Sequence, residues 1–212
     1  MIAGVDALFI ASGVALTMEL LVFSLAIGFV LGVSIAVIRY MKVCVKAIDC
    51  FVSVARGTPI ILQLSFFYFS IPGALNLDVN VLFAGSLAFG INSAAYVSEI
   101  FRGGIESLPI GQFEAARSLH VPRFFTWRDI ILPQVIRNVF PSLVNEIVGL
   151  LKTTALISTI GGLDIMRRAH CVSALRFTFF APICIAGALY YALVLLIEYF
   201  GMVASRRLMR KG

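Results

Sequence analysis

Apolar positions fall in long unbroken blocks along this chain, and polar positions gather between the blocks. Four runs free of Asp, Glu, Lys and Arg cover 20–38, 57–77, 79–98 and 177–197. Each is about 20 residues long, the length a helix needs to cross the hydrocarbon core of a bilayer. Runs of this kind predict helices, because lipid offers the backbone no partner and leaves only helices or closed barrels. The ten-residue alternation of a barrel strand is not the pattern here. A further apolar stretch, 139–160, carries Glu146 and Lys152. It counts as a span because the chain ends would otherwise fall on the wrong sides. An earlier uncharged stretch, 7–18, is too short to cross. It predicts an interfacial helix or a packed extension of the first span. No basic residue precedes it, so it does not read as a signal peptide. The expectation is an all-α membrane protein in one domain over 1–212. Its five transmembrane helices lie at about 18–39, 51–72, 79–101, 138–160 and 177–200, with a loop over 102–137.

Basic residues orient the spans, since Lys and Arg collect on the cytoplasmic side. Arg39, Lys42 and Lys46 follow the first span. Arg102, Arg117, Arg123, Arg128 and Arg137 lie in the 102–137 loop, and Arg206, Arg207, Arg210 and Lys211 end the chain. The opposite side holds only Arg167, Arg168 and Arg176. The N-terminus is therefore expected outside, the C-terminus and the long loop inside.

Composition agrees with lipid as the solvent. The 212 residues are 60% apolar and 13% charged, with a mean hydropathy of +1.01. A soluble domain averages about 45–50% apolar and about 25% charged, so a cytosolic domain and a disordered chain are both excluded. The net charge of +6 is spread singly between apolar blocks. That suits an anionic membrane face and membrane lipids as partners, and makes a poor nucleic-acid footprint. Cys44, Cys50, Cys171 and Cys184 form no CxxC pair, so neither a disulfide framework nor a metal site is expected. There is no phosphate-binding G-x-x-x-x-G-K-[ST], no H-E-x-x-H and no G-x-S-x-G. His120 and His170 fall on opposite sides of the membrane. No catalytic residue and no enzyme activity are expected.

The 102–137 loop has a pattern of its own. Pro109 and Gly111 punctuate before a short helix over 112–119. On it, Phe113, Ala116 and Leu119 or His120 share one face. Ala115 and Ala116 are small, which lets a helix settle into a groove on another protein. Glu114 lies in the first turn, where the helix dipole favours a negative charge. Pro122 is placed to start a second helix, and Pro133 to end or kink it. The expectation is a docking helix, a turn and a second helix, with no partner specified.

Glu114-Ala115-Ala116, followed after a spacer by Ile131-Leu132-Pro133, resembles the EAA signature of inner-membrane permeases of binding-protein-dependent ABC importers. The text around it is similar to the polar amino-acid permease family. Ala55-Arg56-Gly57-Thr58-Pro59 with Gln63 resembles that family's RGTP segment. Tyr96, Glu99-Ile100, Arg102-Gly103-Gly104-Ile105, Pro109 and Gly111-Gln112 resemble its third span and loop. Leu150-Leu151-Lys152-Thr153-Thr154-Ala155-Leu156 with Ile160-Gly161 resembles its LLK-x-T-S-L…IG segment.

The resemblance implies a five-span type I ABC importer permease fold in a bacterial inner membrane. It implies half of a two-permease channel, made with an identical or a sister permease, that carries an amino acid delivered by an extracytoplasmic solute-binding protein. It implies two cytoplasmic ATPase subunits docked on Gln112, Phe113, Glu114, Ala115, Ala116, Leu119 and His120. ATP would be bound by those subunits and no cofactor by this chain. Two positions depart from the pattern: His120 stands where the family usually has glycine, and Ala155 where it tends to have serine. The rival reading is a non-transporting membrane scaffold or regulator that docks a soluble partner through 102–137.

Several polar residues are candidates for the path. A carboxylate inside a span is costly and normally faces a bundle interior or a wet cavity. Glu146 is therefore either substrate-facing or paired structurally, with Lys152 or with the other permease. Six residues apart on a helix, Glu146 and Lys152 do not share a face. Thr58, Thr153, Thr154 and Ser158 either line the path or satisfy their own backbone. Glu99 and Arg102 are expected to form a local ion pair, and Arg56 to anchor at the membrane boundary.

Overall fold

The computed structural model describes residues 4–209, so Arg210 and Lys211 of the basic tail lie outside the described residues. Every regular element among them is helical. Helices α1 (Gly4–Ala11) and α2 (Val14–Tyr40) run on from one another as one stretch. Helix α3 (Val45–Gly57) is followed by α4 (Ile60–Ser65), a π-turn (Phe66–Ser70) and α5 (Ile71–Leu75). Helix α6 (Val81–Glu106) leads to the short α7 (Ile110–Ser118). Then come α8 (Arg123–Phe125), a second π-turn (Thr126–Ile131), α9 (Leu132–Thr153) and a 3-10 turn (Thr154–Ile160). Helices α10 (Ile165–Arg176) and α11 (Phe180–Met209) close the chain. Among the described residues, four stretches are long and apolar enough to cross a membrane: Gly4–Tyr40, Val81–Glu106, Arg123–Ile160 and Phe180–Leu208.

The fifth crossing is not one helix. Val45–Gly57 and Ile60–Leu75 meet at 102°. Pro59 causes the break. It has no N–H to continue α3, and it holds Thr58 in extended backbone, φ −105° and ψ 141°. The short stretch 7–18 also resolves. Ile10 is fully buried against Ile165, Ala169, Val172 and Ala186, so α1 is a packed extension of the first span. The fit at its end is tight: a Cβ on Gly13 would lie 2.5 Å from the backbone nitrogen of Ile165.

Lipid supplies no hydrophobic drive between helices, so they associate by close packing over small residues. The main seam joins α2 and α6. A Cβ on Gly28 would meet that of Ser93 at 2.8 Å, and one on Gly32 would meet that of Val97 at 2.6 Å. The core beside the seam is built on Leu20, Leu21, Leu64, Phe89, Leu151 and Ile157. Pro133 neither ends nor kinks a helix in the way the sequence suggested. It falls in the first turn of α9, where a missing N–H costs little, and the π-turn before it leads the chain in. Within 102–137, α6 thus continues to Glu106 and helical structure resumes at Arg123. Only α7 and its flanking turns stand apart.

Candidate functional site

Helix α7 hangs from the bundle by one face. Phe113 packs with Leu108, Ile131 and Val135, and its ring lies 6.2 Å from that of Trp127. Trp127 also meets Tyr40, at the end of α2, edge-on at 4.4 Å. Ala116 is only 3% exposed. Gln112 is bonded to Gln134 of α9. Glu114, Ala115, Leu119 and His120 point away, with Leu119 77% exposed. The face expected to present Phe113, Ala116 and Leu119 together is therefore divided. Phe113 and Ala116 fasten the helix to its own chain, and Leu119 faces out.

The end of α7 explains the histidine. Val121 N–H donates to the Ala116 carbonyl at 3.0 Å, and His120 N–H donates to that of Arg117 at 3.1 Å. These two bonds make the helix-ending turn whose central residue is left-handed and usually glycine. His120 takes that place at φ 54°. A side chain there costs roughly 1 kcal/mol. His120→Gly is expected to raise the melting temperature in detergent slightly and to leave assembly with any α7 partner unchanged.

The second feature lies mid-bundle. The break at Pro59 strands the Ala55 carbonyl, whose helical partner four residues on would be the missing N–H. Two side-chain amides replace it. Gln63 and Asn92 each donate to that oxygen at 2.8 Å. Gln63 also donates to Thr58 Oγ1 at 2.7 Å. Beside this repair lies a cavity of about 340 Å³ lined by Thr58, Asn92, Tyr96, Glu146 and Thr153, among others. Ser93 Oγ donates to Glu146 Oε1 at 2.7 Å.

Of the four path candidates, Glu146, Thr58 and Thr153 meet at this cavity, and the Thr58 and Thr153 hydroxyls also satisfy their own backbone, donating to the Val54 and Gly149 carbonyls at 2.8 and 2.9 Å. Thr154 does not. It is fully buried, and its hydroxyl donates to the Leu151 carbonyl at 2.6 Å. Ser158 likewise donates to its own helix, at Ala155. Lys152 is exposed, and the partner found for Glu146 is Ser93 of α6. Asn92 and Ser93 were not anticipated. A polar pair inside an otherwise apolar run was the available signal.

The ion pair expected between Glu99 and Arg102 is part of a larger cluster. Glu99 receives Arg102 at 2.7 Å, Arg39 from α2, and Arg56 from α3 at 3.6 Å. Arg39 also holds Asp49 at 2.6 Å, and Arg102 holds Glu106 at 2.7 Å. The Arg56 guanidinium lies 5.0 Å from the centre of the Tyr96 ring. Arg56 therefore ties α3 to α6.

Long apolar helices, one broken span and a polar cavity at the break make a multi-span membrane protein, with a short helix exposed at one end. The chain belongs to the binding-protein-dependent transport system inner membrane component family, whose pattern matches residues 28–211. It is 41% identical over 203 residues to GlnP of Rickettsia typhi, a permease provisionally named for glutamine transport, covering 95% of this chain and 93% of that one. It is 40% identical over 202 residues to the arginine transport system permease protein ArtQ of Bacillus subtilis, covering 94% and 92%. Among solved structures it superposes on an amino acid ABC transporter crystallised with histidines at a TM-score of 0.86 and 33% identity, over 94% of each chain. The methionine transporter MetNI, at 17% identity and a TM-score of 0.83, shares the fold. This is the type I ABC importer permease fold, and the chain is a permease subunit of such a transporter.

Proposed function

We propose that this chain forms half of a transmembrane path for an amino acid, and that the 340 Å³ cavity is a station on that path. The observation that carries the reading is the carboxylate of Glu146 at the wall of a polar, open-sided cavity between the broken span, α6 and α9. Every amino acid brings an ammonium group, and Glu146 Oε2 supplies an acceptor for it, beside the lone pairs of the Thr153 hydroxyl, whose proton goes to the Gly149 carbonyl. The names of the relatives, for glutamine and arginine transport, agree with an amino-acid cargo.

The outer face of α7 is the dock for one of two cytoplasmic ATPase subunits. These subunits bind the ATP. The α7 end lies in the cytosol, with Arg39 and the Arg206–Arg207 pair of α11 as its basic complement. The α1–α10 end faces outward and receives the solute-binding protein. A second permease, identical or sister, completes the channel.

The test is reconstitution with the cognate ATPase and binding protein in proteoliposomes, read by uptake of the twenty carbon-14-labelled amino acids. ATP-dependent uptake of a subset is expected. Absence of both uptake and substrate-stimulated ATP hydrolysis would leave only a scaffold. Docking has its own test. Ala115→Glu puts a larger charged side chain on the exposed face, and co-purification of the ATPase is expected to fall at least tenfold while the permease still folds.

A further inference from the structure

We propose that the paired amides of Gln112 and Gln134 are the strut through which motion of α7 reaches α9. This rests on the reading that α7 docks the ATPase. Gln112 Nε2 donates to Gln134 Oε1 at 2.9 Å, and Gln134 Nε2 donates back to Gln112 Oε1 at 2.8 Å. The two amides thus hold each other at two points, and both are half-buried. Gln134 Nε2 also donates to the Ile130 carbonyl at 2.7 Å, a second tie on the same side chain.

The other attachments of α7 described above are apolar. Contact between Phe113 and the ring of Trp127 is tilted at 6.2 Å and less directional than a hydrogen bond. Hydrogen bonds are directional, and a doubly bonded pair sets register. A push along or across α7 is therefore passed to α9 at Gln134. That residue sits in the first turn of α9, directly after Pro133. Glu146 lies twelve residues further along the same helix, about 18 Å away at 1.5 Å per residue. Pro141 lies between them, inside α9. It removes one backbone bond there and gives the lever a place to bend. Gln112 and Gln134 are positioning residues: they touch neither substrate nor nucleotide, and act through α9.

The experiment uses the reconstituted complex and reads amino-acid uptake per ATP hydrolysed, with the carbon-14 mixture as probe. Gln134→Leu keeps the size and loses both bonds. Co-purification of the ATPase is expected to stay unchanged, while uptake per ATP falls about tenfold. Gln134→Asn, one methylene too short to reach, is expected to fall in the same direction and serves if the Leu variant does not fold. Gln112→Cys with Gln134→Cys, in a chain with Cys44, Cys50, Cys171 and Cys184 replaced by Ala, is then joined by a short bis-methanethiosulfonate. The covalent link is expected to bring uptake per ATP to within about threefold of the cysteine-free parent.

Two results overturn the strut. One is Gln134→Leu and Gln134→Asn both keeping uptake per ATP within twofold of the unsubstituted chain. The other is a crosslink that abolishes transport, because α7 must then move relative to α9. Ala115→Glu separates this failure from that of the docking reading. If it leaves the ATPase bound, the dock itself falls. If it releases the ATPase while the Gln134 variants transport normally, only the strut falls.

Discussion

Glu146→Gln is expected to lower uptake about 10- to 100-fold while the permease inserts, folds and binds its ATPase as before. The substitution keeps length and shape. An amide oxygen still accepts from Ser93 Oγ, now 2.7 Å from the carboxylate, so the tie between α9 and α6 survives. Only the negative charge at the cavity wall is lost. A hydrogen bond to a charged group is worth about 1.5–3 kcal/mol, and each 1.4 kcal/mol is about a factor of ten in affinity. Glu146 is only part-buried and the cavity is open on one side, so screening by water holds the expected loss to the lower part of that range. The measurement is initial uptake rate against substrate concentration, beside a thermal melt of the purified complex. Ser93→Ala is the control. It removes the hydroxyl partner and keeps the charge, and is expected to change uptake by less than threefold. Kinetics of the Gln variant that match the unsubstituted chain would take Glu146 out of the path. A melt that falls in step with uptake would make its role structural.

Much of this was written in the chain, and the missing parts have physical causes. Blocks of about 20 apolar residues can satisfy their backbone in lipid only as helices, so the crossings at 20–38, 79–98 and 177–197 are legible. The short helix after Pro109 is equally plain. The 102° break at Thr58–Pro59 is not. Whether a proline bends a span or ends it depends on what repairs the stranded carbonyl. Here Gln63 and Asn92 do so together, Asn92 reaching Ala55 from 37 residues away and also donating to Gln63 Oε1 at 3.3 Å. Thr153 and Thr154 look alike in sequence, yet one step of about 100° turns one to the cavity and the other to the core. Periodicity found a face on α7 without saying what covers it. That face is covered by Trp127 and the start of α9, which left Glu114, Ala115 and Leu119 as the outward side.

Glu99→Ala is expected to destabilise the permease by about 2–3 kcal/mol, a drop of roughly 5–10 °C in melting temperature for a chain of this size. Glu99 is the one carboxylate placed among Arg39, Arg56 and Arg102, which come from three different helices. Its side chain is 17% exposed. Removing one partner of a buried pair costs about 3–5 kcal/mol, because the charges left behind are neither solvated nor matched. Arg56 and Arg102 keep 42% and 38% exposure, so water offsets part of that cost. Arg39 and Arg102 keep Asp49 and Glu106, so the excess positive charge left at the centre of the cluster, with Arg56 losing its carboxylate, is what loosens α2, α3 and α6 at the end where α7 is attached. Asp49→Ala and Glu106→Ala remove carboxylates at the rim, 47% and 61% exposed. Exposed pairs contribute about 0–1 kcal/mol, so these variants are expected to melt within 2 °C of the unsubstituted chain. Melting at two ionic strengths distinguishes centre from rim. Salt shrinks the Debye length to about 3 Å at 1 M and screens exposed charges first. The small rim deficits should vanish at high salt, while most of the Glu99 deficit persists. Equal losses for all three substitutions, or a Glu99 deficit that salt erases, would mean that the cluster is solvated throughout and clamps nothing.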